Sequence, residues 1–181
     1  TVRENAHDYV YGGKKVSYSE FMQIYENSTL RMEFINGEIY LLTSPSSFHQ
    51  DMLGYLHINF NDYFKDKPCK VYLPPFDVHF YKKGISDPDV MQPDITVACD
   101  YKTTINEKGR YMGIPTLVVE ILSPSTRSKD MVDKLNTYML SGVKEYWIID
   151  IKNKCVYIYK FLDYNIDNMK SYSIGETAES F

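Results

Sequence analysis

The sequence predicts one α/β domain, a mixed β-sheet flanked by helices. Three observations predict it. Along the 181 residues the patterns run helix, hairpin, helix, three strands, helix and two strands, with no repeat or low-complexity linker between them. The two most apolar runs, "DITVACD" and "TLVVEILS", are short, rich in β-branched residues and bounded by prolines or polar loops, the mark of central strands. A chain of this length, 44% hydrophobic and 24% charged, suits a single well-buried core.

Residues 1–16 carry little pattern and are set apart as an N-terminal arm; 17–181 form the domain. Ser17 and Glu20 make an S-x-x-E capping box ahead of Phe21, Ile24 and Tyr25, which starts a short helix. In "RMEFINGEIYLL", Asn36-Gly37 is a type I′ turn between two apolar arms. Ser47 and Gln50 give a second helix start, and Leu53, Leu56, Phe60, Tyr63 and Phe64 recur at helical spacing to about residue 64. "KVYLPPFDVHFY" alternates, with Phe76, Val78 and Phe80 on one face and Asp77, His79 and Tyr81 on the other. Residues 101–114 read as a polar loop between the two central strands. "SPSTRSKDMVDKLNTYMLSGV" is a helix with a Gly142 stop, in which Ser123 and Thr126, around Pro124, cap the start. "EYWIIDI", a Lys152-Asn153 turn and "CVYIYKF" make a terminal strand pair, and the last ten residues, "YSIGETAESF", read as the middle of a further element.

The net charge of −4 argues against a protein that coats nucleic acid without selectivity, because that affinity is summed from Lys and Arg contacts. Cys69, Cys99 and Cys155 are odd in number, widely spaced and form no C-x-x-C, so neither a disulfide framework nor a zinc knuckle is expected and a reducing compartment is. No apolar run reaches the roughly 18 residues of a membrane helix, and no secretory signal is visible. A cytoplasmic protein without a membrane partner is the expectation.

Two acids interrupt apolar strands. Glu120 lies inside "TLVVEILS", where an ionised carboxylate is costly unless a cation or strong donors meet it. Asp94 opens a strand directly after Pro93, and the separation of 26 residues between the two acids leaves room for a strand, a loop and a second strand. One or two carboxylates, several waters and a substrate phosphate form the usual shell of Mg²⁺, with Mn²⁺ as its substitute. The competing structural readings are a buried salt bridge of Glu120 with Arg127 or Lys134, and an Asp94 that merely accepts backbone donors.

"RMEFINGEIY", "SPSSFHQ", "PPFDVHF", "QPDITV", "LVVEILSPSTRSKD" and "GVKEYWIIDI" resemble, in that order, the Uma-type restriction-endonuclease family, long catalogued as a domain of unknown function within the PD-(D/E)XK nuclease superfamily. The likeness covers about residues 17–165. It implies a restriction-endonuclease-like core and metal-dependent hydrolysis of phosphodiester bonds in nucleic acid, above all DNA, with Asp94 and Glu120 as metal carboxylates. The general signature has a lysine two residues after the glutamate; here that position is Leu122. Relocation of the lysine to the next helix is known in the superfamily, and Lys134 is the matching residue. It flanks an apolar stripe of Met131, Val132, Leu135, Tyr138 and Met139, with Tyr138 one turn away.

Three further residues are candidates for support. His49, in the first turn of its helix and four before Leu53, faces inward, and the helix N-terminus there disfavours its protonated form. Glu33 matches the family's acid in the hairpin. Asp77 matches the acid of "PFDV" and is expected to share the metal or to hold Lys134. Lys82, Lys83, Lys108, Arg110, Arg127 and Lys129 are candidate phosphate contacts. Two other readings stand beside the nuclease: a nuclease-fold protein that binds nucleic acid or another protein without cutting, and a hydrolase of a smaller phosphoester. A homodimer is plausible by analogy with paired cutting of two strands.

Overall fold

The computed structural model describes residues 11–123, 127–173 and 175–181. The elements, in chain order, are α1 (Tyr18–Glu26), β1 (Met32–Ile35), β2 (Glu38–Leu41), α2 (Ser47–Phe64), β3 (Lys70–Tyr72), β4 (Val78–Phe80), β5 (Asp89–Met91), β6 (Ile95–Ala98), α3 (Tyr101–Thr104) and β7 (Leu117–Ile121). They continue with α4 (Arg127–Lys129), a π-helical turn (Asp130–Lys134), α5 (Leu135–Leu140), β8 (Glu145–Asp150), β9 (Cys155–Leu162) and β10 (Asn165–Ser173).

The α/β class is as the sequence predicts, but the strands divide between two sheets. One is four-stranded and antiparallel, in the order β2-β1-β5-β4; the other is six-stranded, in the order β10-β9-β8-β7-β6-β3, with β7 and β8 parallel and its other pairs antiparallel. The chain passes from the first sheet to the second at Gln92–Asp94, between the end of β5 and the start of β6. Three residues long and directly after Pro88, β5 is too short to show a period, which is why the sequence does not announce it.

Local signals set several elements directly. Ser17 and Glu20 form both halves of a capping box on α1. Asn36 and Gly37 have φ of 51° and 81°, the two positive angles a type I′ hairpin needs. Gly142 ends α5 with φ of 83°. The cap of α2 is Ser46 rather than Ser47: its hydroxyl accepts the His49 N–H, and adjacent serines give the sequence no way to choose between them. The end of the arm is tied down, since Gly13 N–H donates to Ile39 O at 2.9 Å and Val16 N–H to Gly37 O at 2.9 Å; backbone pairing of this kind leaves no side-chain pattern. The 101–114 loop contains the short turn α3 and a bridge from Tyr111 to Val78. The cap assigned to Thr126 and Pro124 lies outside the described residues. The cysteine expectation is corrected: Cys69 and Cys99 are bonded to each other, removing the cysteine argument for a reducing compartment. They flank the Lys70↔Ala98 pair of β3 and β6, a register that a separation of 30 residues does not disclose.

Alternation along β6 and β7 sorts their side chains between two cores. Ile95, Val97, Leu117, Val119 and Ile121 pack under α2 against Leu53. Val118 and Leu122 face the other way, into a cluster with Tyr138, Tyr146, Val78 and Phe80 that joins the second sheet to the first. Leu122 is therefore a core residue in this chain. A third cluster, Phe21, Met32, Phe34, Ile39 and Val90, fastens α1 to the small sheet. Phe21 is fully buried and stacks on Phe34 at 4.8 Å. Phe21→Ala is expected to cost about 3–5 kcal/mol of stability in urea unfolding, as for other buried aromatics cut to alanine.

Candidate active site

The site lies where the two sheets part. Antiparallel pairing of β6 with β7 ends at Ile95↔Val119, which leaves Asp94 and Glu120 as the next residue on each chain segment. Asp94 Oδ2 accepts the Ile121 N–H at 2.7 Å, so the acid is held on the backbone beside Glu120. The first turn of α2 closes this side, with His49 Nε2 3.0 Å from the same oxygen. The small sheet contributes Glu33 from β1. The helical segment after β7 contributes Lys129, Asp130, Lys134 and Tyr138.

Glu120 is 4% exposed, and its Oε1 accepts from Lys134 Nζ at 2.8 Å and from the Tyr138 hydroxyl at 2.5 Å. Lys134, also 4% exposed, reaches Glu33 Oε1 at 3.0 Å and lies 3.6 Å from Asp130 Oδ1. Lys129 takes the other oxygen of Glu33, Oε2, at 3.0 Å. The Gln92 N–H donates to Glu33 Oε1 at 3.2 Å.

Burial pushes the Glu120 carboxyl up to about 8; Lys134 pulls it down, while Asp130, Asp94 and Glu33 raise it further. Glu33 is buried as deeply, yet Lys134 and Lys129 together hold it below its ordinary value. Burial opposes the Lys134 charge, and the surrounding Glu120, Glu33 and Asp130 override it, holding the ammonium well above its usual value. For His49 the hydrogen bond to Asp94 outweighs burial and raises the imidazole above its ordinary value. That corrects the neutral histidine expected from the helix N-terminus: a carboxylate at 3.0 Å is a stronger influence than a partial dipole charge.

Of the residues singled out from sequence, the structure brings together Asp94, Glu120, Lys134, Glu33 and His49. Asp77 is elsewhere. It accepts from the Tyr25 hydroxyl at 2.8 Å and Gln92 Nε2 at 2.9 Å, with Arg110 at 3.7 Å, whereas Lys134 bonds Glu33 and Glu120. Its tie to the site is indirect, through Gln92, whose side chain it holds and whose N–H holds Glu33. Lys129, Asp130 and Gln92 are the residues the sequence did not single out for their roles in this cluster. Gln92 was legible only as a neighbour of Pro93-Asp94, and the two others depend on helix phase.

The donor set suits a hard divalent cation. Four carboxyl groups (Glu33, Asp94, Glu120, Asp130) stand with two ammonium groups (Lys129, Lys134) and His49, and the Glu120 carboxyl is held up at about 8 because burial and its acidic neighbours outweigh Lys134. Among the described residues no trio of His, Cys, Asp and Glu forms a cage for a metal. Two carboxylates completed by water and substrate oxygen is the manner in which Mg²⁺ is held.

The model of the Uma2 family, described as "Putative restriction endonuclease", matches residues 18–172. The chain belongs to this family. A protein of Synechocystis sp. (strain ATCC 27184 / PCC 6803 / Kazusa), named "Uncharacterized protein slr1290", is 26% identical to this Uma2 chain over 124 residues, 68% of the chain and 62% of the relative. The chain thus matches less than two thirds of that relative's length. A crystal structure described as that of a putative nuclease belonging to DUF820, from Anabaena variabilis ATCC 29413, superposes with a TM-score of 0.74 at 18% identity, covering 92% of this chain and 89% of the other. The Uma2 chain therefore has the fold of that protein.

The raised Glu120 carboxyl has a consequence for stability. Its folded value lies above the ordinary 4.5, so in that window the folded state binds the proton more tightly than the unfolded state does. Ionisation then costs the metal-free protein stability as pH rises from about 4.5 to about 8. Glu120→Gln keeps an acceptor for Tyr138 and removes the charge. Urea unfolding in EDTA is expected to show the variant gaining on wild type from pH 5 to pH 8; a variant that loses ground over that range would mean that the pairing with Lys134 dominates.

Proposed function

We propose that this chain is a metal-dependent endonuclease that hydrolyses phosphodiester bonds in DNA. The observation that carries the reading is the carboxylate pair at the parting of two sheets, a buried Glu120 and a partly buried Asp94, with an ammonium group, Lys134, bonded to Glu120. Family membership supports nuclease chemistry over other uses of such a pair.

Asp94 and Glu120 would hold Mg²⁺ or Mn²⁺. When bound, such an ion supplies an activated water and polarises the phosphoryl oxygen. The chain's own groups do the remaining work. His49 and the Ile121 N–H fix one oxygen of Asp94 and so set the direction of the other. Tyr138 fixes Glu120 in the same way. Lys134 offsets the charge that gathers on the phosphoryl oxygens as the bond to the leaving group breaks, and it stays charged because three carboxylates surround it. A homodimer cutting both strands belongs to the same proposal.

A second reading is a nuclease-fold protein that binds nucleic acid or a protein partner without cutting. Leu122 in place of the strand lysine, and a Glu120 oxygen already shared by Lys134 and Tyr138, are the observations that favour it. A Mg²⁺ and Mn²⁺ titration on supercoiled and single-stranded DNA separates the two. Metal-dependent cleavage is expected in wild type and should be lost in Asp94→Asn and in Glu120→Gln with the fold intact. Lys134→Met, which keeps the packing of the stem, is expected to slow cleavage on the order of 10²-fold or more, with metal affinity by calorimetry little changed. Wild type that cuts no nucleic acid with either ion leaves the binding reading in its place.

A further inference from the structure

We propose that Lys129 is the substrate-facing cation of this site, a contact for a backbone phosphate of nucleic acid, and that the π-helical turn following it is what brings it there. The proposal rests on the nucleic-acid part of the reading above, not on catalysis.

Lys129 and Lys134 are five residues apart, and both bond one carboxylate. Lys129 Nζ lies 3.0 Å from Glu33 Oε2, and Lys134 Nζ lies 3.0 Å from Glu33 Oε1. An α-helix advances 3.6 residues per turn, so residues five apart leave it roughly 140° apart around the axis. Two lysines so placed could not readily meet on the same side chain. In a π-helix the hydrogen bond closes five residues back, which puts such a pair on one side of successive turns. The π-helical turn here is Asp130–Lys134, beginning immediately after Lys129. The extra residue in the turn thus rotates Lys129 toward Glu33 while leaving Lys134 on Glu120.

The two ammonium groups are then used differently. The Lys134 side chain is 5% exposed and lies within 3.6 Å of three carboxylates. Lys129 is 15% exposed; it gives one hydrogen bond to Glu33 and stands 4.8 Å from the centre of the Tyr40 ring. An ammonium has three donors, and a compact point charge of this kind is a common phosphate contact. The other five basic residues singled out from the sequence are engaged elsewhere among the described residues. Lys82 is buried on Asp89 and Asn36, Lys108 and Arg110 pair with Glu26, Lys83 lies over the Tyr164 ring, and Arg127 pairs with Asp150. Of these six, Lys129 is the one ion-paired with a carboxyl of the cluster itself, Glu33, while Arg110 reaches the site only through Asp77 and Gln92.

The test is equilibrium binding of a fluorescent DNA duplex across a salt series, in EDTA and again with Ca²⁺ in place of Mg²⁺, alongside steady-state cleavage with Mg²⁺. Lys129→Met should weaken binding several-fold at low salt and make the slope of log affinity against log salt shallower by about one, the signature of one lost phosphate contact. KM should rise more than kcat falls, and Lys129→Arg should restore the slope. Lys108→Met removes the same charge from the exposed pair with Glu26 and should leave the slope unchanged. If Lys129 only props Glu33, the slope will stay at the wild-type value while kcat or the melting temperature drops, and the proposal is overturned. Wild type that binds no duplex under either condition overturns it as well. Wild type that binds without cutting removes the catalytic reading, and the slope still decides the role of Lys129.

Discussion

The structure is organised around one buried ammonium. Lys134 sits between Glu33 on the small sheet and Glu120 on the large one, and is itself borne by the helix that covers their junction. Burying ionised groups is expensive, and such a cluster is tolerated only where each charge has close, well-directed partners. Removing Lys134 leaves its buried carboxylate partners uncompensated, a loss of about 3–5 kcal/mol in comparable buried pairs. The ion cluster therefore constrains the relative placement of both sheets and the helix more tightly than the apolar contacts around it. Those contacts tolerate small shifts; a hydrogen bond of about 3 Å does not.

That placement also accounts for the charge imbalance. Lys134 and Lys129 satisfy Glu33, but burial first, and then Asp130 and Asp94 close by, keep Glu120 raised. The uncompensated carboxyl thus lies where β6 begins and β7 ends, and not at Glu33. The two carboxylates come from paired strands, and their position depends on a backbone ladder, one acid being fixed further by the Ile121 N–H. A rigid ladder is a suitable base for groups that must converge on one ion. The helical segment is the adjustable part: its π-helical turn breaks the regular phase so that two lysines, and not one, face the small sheet.

The fold of the Anabaena variabilis protein is shared at 18% identity, too low for side-chain roles to be carried across. What the shared fold supports is the scaffold: two sheets that part, with strand ends and a helix meeting at the fork.

The sequence by itself determined the elements whose signals are local. The capping box of α1, the Asn36-Gly37 turn, the Gly142 stop and the two β-branched central strands are each written within a few residues, because caps, turns and alternation act over that range. It also singled out Asp94 and Glu120, since acids inside apolar strands are costly wherever the chain goes. Tertiary structure decided the rest. Only the strand register could show that Cys69 meets Cys99 and that Asp94 is held on the Ile121 N–H beside Glu120, and only the packing of the sheets could separate Asp77 from Lys134. Helix phase was the least legible of all. A regular 3.6-residue period places Lys129 and Lys134 on different sides, and the π-helical turn that unites them on Glu33 is recognised from hydrogen bonds and contacts between elements about a hundred residues apart, which no local pattern encodes.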